Sequence, residues 1–246
     1  MCGVKSYILA GGFGTRFAEM TDRVPKPMIP IGRWPILLHI MSHYSSYGTK
    51  EFVILAGYKA EILHQFFSEG EGKDICARNS WSVEIVDTGL NTSTAGRLWF
   101  VKDSLPDTFM LTYGDGLSNV NLESLRDTHA QSDLVATVTA VHPPARFGTI
   151  EFDDGIATSF EEKNPQRTGW INGGFFCVNK EIIKYIIDPL SSLESLTMVS
   201  LVKAKQLGVF PHEGFWHPMD TLRDQRSLEE IFLNKKAEWS TKALEW

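Results

Sequence analysis

The sequence predicts an α/β fold built on a mixed, mostly parallel central sheet flanked by helices. Three observations predict it. Short apolar, β-branched runs recur through the first half of the chain, helical patterns separate them, and the first run ends in a cluster of glycines. Strand–helix alternation of this kind implies βαβ crossovers, which require a sheet covered on both faces.

Taken in order, Ser6 to Ala10 (SYILA) reads as a buried strand. Residues 35–47 form a helical pattern with Ile36, Leu37, Ile40, Met41 and Tyr44 on one face. Phe52 to Ala56 is a second strand, followed by a helix from Lys59 to Phe67, and the acidic stretch Glu69-Gly70-Glu71 reads as a solvated loop. Val83–Asp87, Phe109–Tyr113 and Leu134–Val141 are further strands, with helices near 95–103 and 122–131. From about residue 143 the texture changes. The stretch PPARFGTIEFDDG approaches a hairpin turn at Asp154-Gly155. An extended segment begins at Gly173, and helices are expected at 181–187, 196–206 and 222–235. With no linker or repeat in view, residues 1–246 read as one domain of two halves, 1–142 and 143–246.

Composition bounds the partners. A chain of 246 residues, 43% of them hydrophobic, buries a sizeable core. Its formal charge of −6 offers no basic footprint for a nucleic acid, so anionic ligands must be held by local groups. Cys2, Cys76 and Cys177 form neither a disulfide framework nor a CxxC metal pattern. The apolar start is interrupted by glycines too early for a signal segment or membrane span. These features predict a cytoplasmic protein with no membrane or nucleic-acid partner.

The first loop carries the chemistry. Leu9-Ala10-Gly11-Gly12-Phe13-Gly14-Thr15-Arg16 follows the first strand directly. Its glycines let the backbone approach a ligand and gather N–H groups into a concavity suited to phosphate oxygens. Arg16 adds a guanidinium fork. A third dinucleotide-type glycine and the Walker spacing are both missing, and a tight structural turn is the competing reading. Shortly beyond, Pro25-Lys26-Pro27 presents a lysine from a stiff segment, as stabilising charge at a reacting phosphorus requires. The segment TYGDG sets Gly114 and Asp115 at the end of an apolar strand, and Asp220 lies far along in HPMD. A turn carboxylate and a helix N-cap are the plainer readings of these two aspartates.

LAGGFGTR followed by PKPM resembles the signature of the sugar nucleotidyltransferases, and within that family the chain is most similar to the glucose-1-phosphate cytidylyltransferases. The likeness runs over nearly the whole sequence and includes VDTG at 86–89, AGRL at 95–98, TYGDG at 112–116, NGGFF at 172–176 and GFWHPMDTLRD at 214–224. It implies a Rossmann-like nucleotidyltransferase fold, CTP as donor, a sugar 1-phosphate as acceptor and a homo-oligomeric assembly. The first half would then bind nucleotide and the second would bind sugar phosphate and close over it. The resemblance assigns catalysis to Arg16, Lys26 and Asp115, and Mg²⁺ to Asp115 and Asp220. Nucleotide contacts fall on Leu9, Ala10, Gly11, Gly12, Gly14, Thr15, Arg16, Thr88, Gly89, Arg97 and Gly114. Sugar-phosphate contacts fall on Glu162, Lys163, Asn172 and Gly173. One or two protein carboxylates, completed by water and phosphate oxygens, are what Mg²⁺ usually takes.

The chain departs from the family in places. It is shorter between Gly57-Tyr58-Lys59 and Val86-Asp87, a region that bears on assembly. Asn164 separates Lys163 from Pro165, and Glu194-Ser195-Leu196-Thr197 stands where the family has Glu-Pro. The same chemistry with another nucleoside triphosphate or another phosphorylated sugar stays open, and two readings of other classes compete: a non-catalytic nucleotide-sugar sensor, and an NAD-dependent enzyme. Arg16, Lys26 and two aspartates together argue against the first, and the missing glycine argues against the second. His39 and His43, four apart on a helix, lack a third ligand for a metal site.

Overall fold

Period-two alternation in the strands creates two apolar faces. A computed structural model describes residues 4–17, 21–144, 149–154, 156–161 and 169–239. Tyr7 and Leu9 pack into one cluster with Val53, Leu55, Phe109 and Leu111. Their neighbours Ile8 and Ala10 pack into the other with Phe52, Ile54 and Met110. Successive side chains of a strand leave on opposite sides, so each strand serves both layers.

The strands are β1 Ser6–Leu9, β2 Pro30–Ile31, β3 Trp34–Pro35, β4 Glu51–Ala56, β5 Ser82–Asp87, β6 Thr108–Tyr113 and β7 Gly116–Ser118. They continue with β8 Ala136–Val141, β9 Thr149–Asp153, β10 Ile156–Glu161, β11 Ile171–Asn179, β12 Leu207–His212 and β13 Trp216–Pro218. The helices are α1 Ile36–Ser46, α2 Ala60–Ser68, α3 Glu71–Asn79, α4 Thr94–Phe100, α5 Leu122–Ala130, α6 Met198–Lys203 and α7 Leu222–Leu233.

Seven strands form the central sheet in the order β12-β8-β11-β6-β1-β4-β5. β1 pairs in parallel with β4 and β6, β4 with β5, and β12 with β8. β11 runs antiparallel to both β6 and β8, so the sheet is mixed but mostly parallel, and it draws strands from both halves of the chain. β9 and β10 make the expected hairpin, with Asp154 at φ 46 in its turn. Residue 155 lies outside the described residues.

Several elements differ from expectation. Glu71 opens α3 rather than sitting in a loop, because Ile75 is buried on its inner side and Ser80 closes it in the left-handed conformation. The segment expected as a helix at 181–187 is a 3-10 turn, Lys180–Tyr185. The helix expected at 196–206 begins as a π turn, Leu193–Thr197, and continues as α6. Helix α4 stops at Phe100 and gives way to a short 3-10 turn, Lys102–Ser104. The edge strand β12 has no sequence signal of its own, because Gly208 and Pro211 break its apolar run.

His39 and His43 are both buried, and each binds a main-chain oxygen through Nε2, that of Ile31 and Val120 respectively. Among the described residues no helix is long and apolar enough to cross a membrane.

Candidate active site

The carboxyl ends of parallel strands are where an open α/β sheet binds ligands. Here β1 and β6 lie side by side, and the loops leaving them form a cleft of about 360 Å³. Leu9, Ala10, Gly11, Gly12, Gly14 and Thr15 form one wall. Lys26, Gly114, Asp115 and Asp220 also line it.

Gly114 alone separates Asp115 from the end of β6, and Asp220 precedes α7. Their main chains meet: the Met219 amide donates to the Asp115 carbonyl at 2.8 Å. Thr221, not Asp220, caps α7 in a reciprocal capping box with Asp224. The Asp224 carboxylate also accepts from the Asp220 amide at 3.1 Å, so the cap fixes the backbone that carries Asp220. Lys26 Nζ then donates to Asp115 Oδ2 at 2.6 Å and to Asp220 Oδ1 at 2.7 Å. Burial of the ammonium opposes its charge, but Asp115 and then Asp220 outweigh that and raise its pKa above the ordinary lysine value.

Lys26 opens a single 3-10 turn, Lys26–Met28, immediately after Pro25. Pro27 in that turn is buried and packs close to Gly114. The proline-flanked lysine is therefore held against the loop after β6.

The glycine-rich loop is braced from behind. Arg97 on α4 is 3% exposed, and its guanidinium donates to Gly11 O, Ala56 O, Thr88 Oγ1 and Gly89 O. A Cβ on Gly11 would stand 2.1 Å from that guanidinium, which explains the glycine by close approach. Arg97 is thus committed to the main chain of the site, although part of it still lines the cleft. Thr88 is buried and Gly89 turns at φ 96, and both are held through this same arginine. Gly12 has open space where a Cβ would stand.

Asn172 and Gly173 lie in β11, near the cleft. Asn172 Nδ2 donates to the Tyr113 hydroxyl at 3.3 Å, and Gly173 O accepts from Trp216 Nε1 at 2.7 Å. Trp216 and Phe215 are packing residues, Phe215 stacking on Trp239 at 5.0 Å. His217 binds the Pro218 carbonyl through Nδ1, at 2.7 Å. Arg16 falls in the 3-10 turn Thr15–Phe17, and its side chain lies outside the described part, as do Glu162 and Lys163 entirely.

The cleft also holds residues that sequence reasoning passed over. Thr92, Ser93, Thr94 and Tyr113 all line it. Ser93 caps α4 through the Gly96 amide, a recognisable cap signal, but nothing local marks Tyr113 or Thr94 as cleft residues.

Known proteins resemble this chain in sequence and in fold. The family model described as "Nucleotidyl transferase" matches residues 5–216. The chain is 39% identical over 255 aligned residues to a glucose-1-phosphate cytidylyltransferase of Salmonella typhi, covering 97% of this chain and 99% of that protein. It is 37% identical to a probable glucose-1-phosphate cytidylyltransferase of Bacillus subtilis, covering 96% and 99%. In structure it resembles a putative glucose-1-phosphate thymidylyltransferase of Bacillus anthracis, with a TM-score of 0.71 over 92% of this chain and 94% of that one. At 19% identity that likeness speaks to the fold alone. Matched over most of its length, this chain belongs to the nucleotidyl transferase family.

Proposed function

We propose that the protein transfers a cytidylyl group from CTP to glucose 1-phosphate, giving CDP-glucose and pyrophosphate. The observation that carries the transfer reading is the meeting of Asp115 and Asp220 on the Lys26 ammonium, at 2.6 and 2.7 Å, in a cleft walled by the glycine-rich loop. The likeness to the Salmonella typhi enzyme supports the choice of base and sugar.

The chemistry needs no general base. A phosphate monoester has its second pKa near ~6, so the acceptor oxygen is already anionic at neutral pH. That oxygen attacks the α-phosphorus of CTP in line. One P–O bond forms, and the bond to the β-phosphate oxygen breaks with pyrophosphate carrying away the electron pair. The protein must bring two polyanions together and balance the charge between them. Amides of the Gly11–Thr15 loop would face the triphosphate, with Arg16 assigned to the leaving phosphates. Lys26 would turn from its carboxylate partners toward the reacting phosphorus.

The donor set also fits Mg²⁺. Two carboxylate oxygens share one cationic nitrogen within hydrogen-bond reach, and hard oxygen ligands in that number suit the ion. Asp115 and Asp220 would hold it, and when bound it would supply Lewis-acid polarisation of a phosphate oxygen. Asn172 and Gly173, with Glu162 and Lys163, are the proposed sugar-phosphate contacts.

Pyrophosphate release across the four nucleoside triphosphates and a panel of sugar 1-phosphates tests the proposal. CTP with glucose 1-phosphate should give the highest kcat/KM. Faster turnover with UTP or GTP removes the base assignment alone, and no turnover with any pair removes the transferase reading.

A further inference from the structure

Arg97 braces the glycine-rich loop at Gly11, and a second support reaches the loop from the turn between β4 and α2. There the Tyr58 amide donates to Gly11 O at 3.1 Å, and the Tyr58 ring lies 5.4 Å from that of Phe13. Lys59 reaches further along the chain. Its Nζ donates to the main-chain oxygens of Thr21, at 3.1 Å, and of Asp22. The Tyr58 hydroxyl donates to the same Thr21 oxygen at 3.2 Å.

Thr21 carries the connection into the loop. It is buried, and its hydroxyl is shared between Gly14 O at 3.3 Å and Phe17 O at 3.2 Å. Its methyl lies 2.7 Å from where a Cβ on Gly14 would stand. Gly14 turns at φ 63 and lines the cleft, as does Lys26 four residues beyond Asp22. Lys59 therefore grips the chain between the loop and Lys26.

Local backbone rules do not favour a lysine here. Lys59 is the N-cap of α2, where the backbone is normally extended, yet it sits at φ 54 and ψ 39, and its side chain caps nothing. Among the described residues Ser80, Lys205 and Lys235 share the left-handed conformation, but they follow helices, where it is ordinary. Glycine or asparagine would hold this backbone with less strain. Strain beside a cleft points to function. What the lysine adds is an ammonium on a stem long enough to reach two main-chain oxygens.

We infer that Lys59 is a positioning residue: by clamping Thr21 it holds Gly14 and the loop amides in the shape that receives the triphosphate of the donor nucleotide. The inference rests on the transferase reading above. It gives Lys59 no contact with the reacting atoms.

Steady-state kinetics with both substrates varied, together with thermal melts, test it on Lys59→Gly, Thr21→Val and the double variant. Lys59→Gly keeps the left-handed backbone and an adequate N-cap while removing the clamp, so its melting temperature should equal or exceed that of wild type. KM for CTP should nevertheless rise about tenfold, the scale of hydrogen bonds from a charged group, while KM for glucose 1-phosphate stays within about twofold. Lys59→Arg, which can donate to the same two oxygens, should recover part of the loss. Thr21→Val should raise KM for CTP as well. The double variant should be no worse than the worse single one, because both changes cut one relay. An unmoved KM for CTP in Lys59→Gly overturns the inference and leaves the transferase reading standing. A fall in melting temperature alongside the change in KM also overturns it, by making Lys59 a support of the fold. Single effects that multiply in the double variant overturn it too, by giving Lys59 a contact of its own with the nucleotide. A wild-type protein inert with every substrate pair removes the transferase reading and this inference with it.

Discussion

Arg97 Nη2 donates to the carbonyl of Gly11 at 2.7 Å, so a buried guanidinium on helix α4 holds the glycine-rich loop from behind. The same group satisfies Ala56 O, Thr88 Oγ1 and Gly89 O. Replacing it strands several buried acceptors at once. Arg97→Met should cost about 3 kcal/mol or more in stability, read by urea unfolding. Arg97→Lys should recover only part of this, because an ammonium cannot reproduce the planar fork. A loss below about 1 kcal/mol in Arg97→Met would show that the brace is dispensable.

Two adjacent glycines in the loop should respond oppositely. Gly11→Ala drives a Cβ into the Arg97 guanidinium at 2.1 Å, so its melting temperature should fall. Gly12→Ala meets no protein atom within 4 Å and should fold as wild type does. Its methyl nevertheless stands on the wall proposed to face the triphosphate. KM for CTP should rise in Gly12→Ala with the melting temperature unchanged, which thermal melts and kinetics on the same preparations would compare.

Lys26 should matter twice. Lys26→Met should lower kcat by roughly 10²-fold or more, the scale of losing one preorganised group that stabilises charge, while leaving the fold intact. It also removes the cation between Asp115 and Asp220. The Lys26 pKa is raised in the folded protein, so its contribution to stability is fully present below the ordinary value of 10.5 and is lost as pH climbs through the raised one. The stability gap between wild type and Lys26→Met should therefore hold from pH 7 to 10 and shrink above that. A gap that instead widens with pH would contradict the ion-pair assignment.

His43 gives the acid limb. Burial depresses its pKa from 6.5 to about 4, outweighing the hydrogen bond to the Val120 carbonyl, which favours the charged ring. A group depressed in this way favours folding above pH 6.5, and its contribution falls away as pH drops toward 4. The contribution at stake is roughly 3 kcal/mol. His43→Gln should flatten the stability profile between pH 6.5 and 4, measured by denaturant titration at each pH. An unchanged slope would show that other groups dominate acid unfolding.

Much of this architecture was legible in the sequence, and the reasons differ by element. Strands β1, β4, β5, β6 and β8 stand out because they are short, apolar and separated by helical patterns. Helix α3 was hidden because its sequence is largely polar, leaving Ile75 as a weak signal. The π turn before α6 was hidden because i→i+5 bonding has no residue signature. In the site, Lys26, Asp115 and Asp220 were marked by prolines, glycines and a strand end. Arg97 was marked too, but as a ligand contact: sequence does not reveal that its donors go to main-chain carbonyls. Tyr113 sits at the end of a strand whose other residues are core, so pattern alone assigns it to packing.

The amide of Met219 bonded to the carbonyl of Asp115 has a further consequence, one of timing. The two carboxylates come from well-separated parts of the chain, Asp115 near its middle and Asp220 much later, and each is placed by a partner synthesised long before or after it. A nascent chain that has already built β1, the glycine-rich loop and β6 still lacks the second carboxylate of the proposed catalytic centre. The proposed site is complete only once the capping box of α7 sets Asp220 in place. A partly made or C-terminally clipped molecule would keep the phosphate loop yet lack the paired carboxylates, so it would have no complete site with which to consume nucleotide.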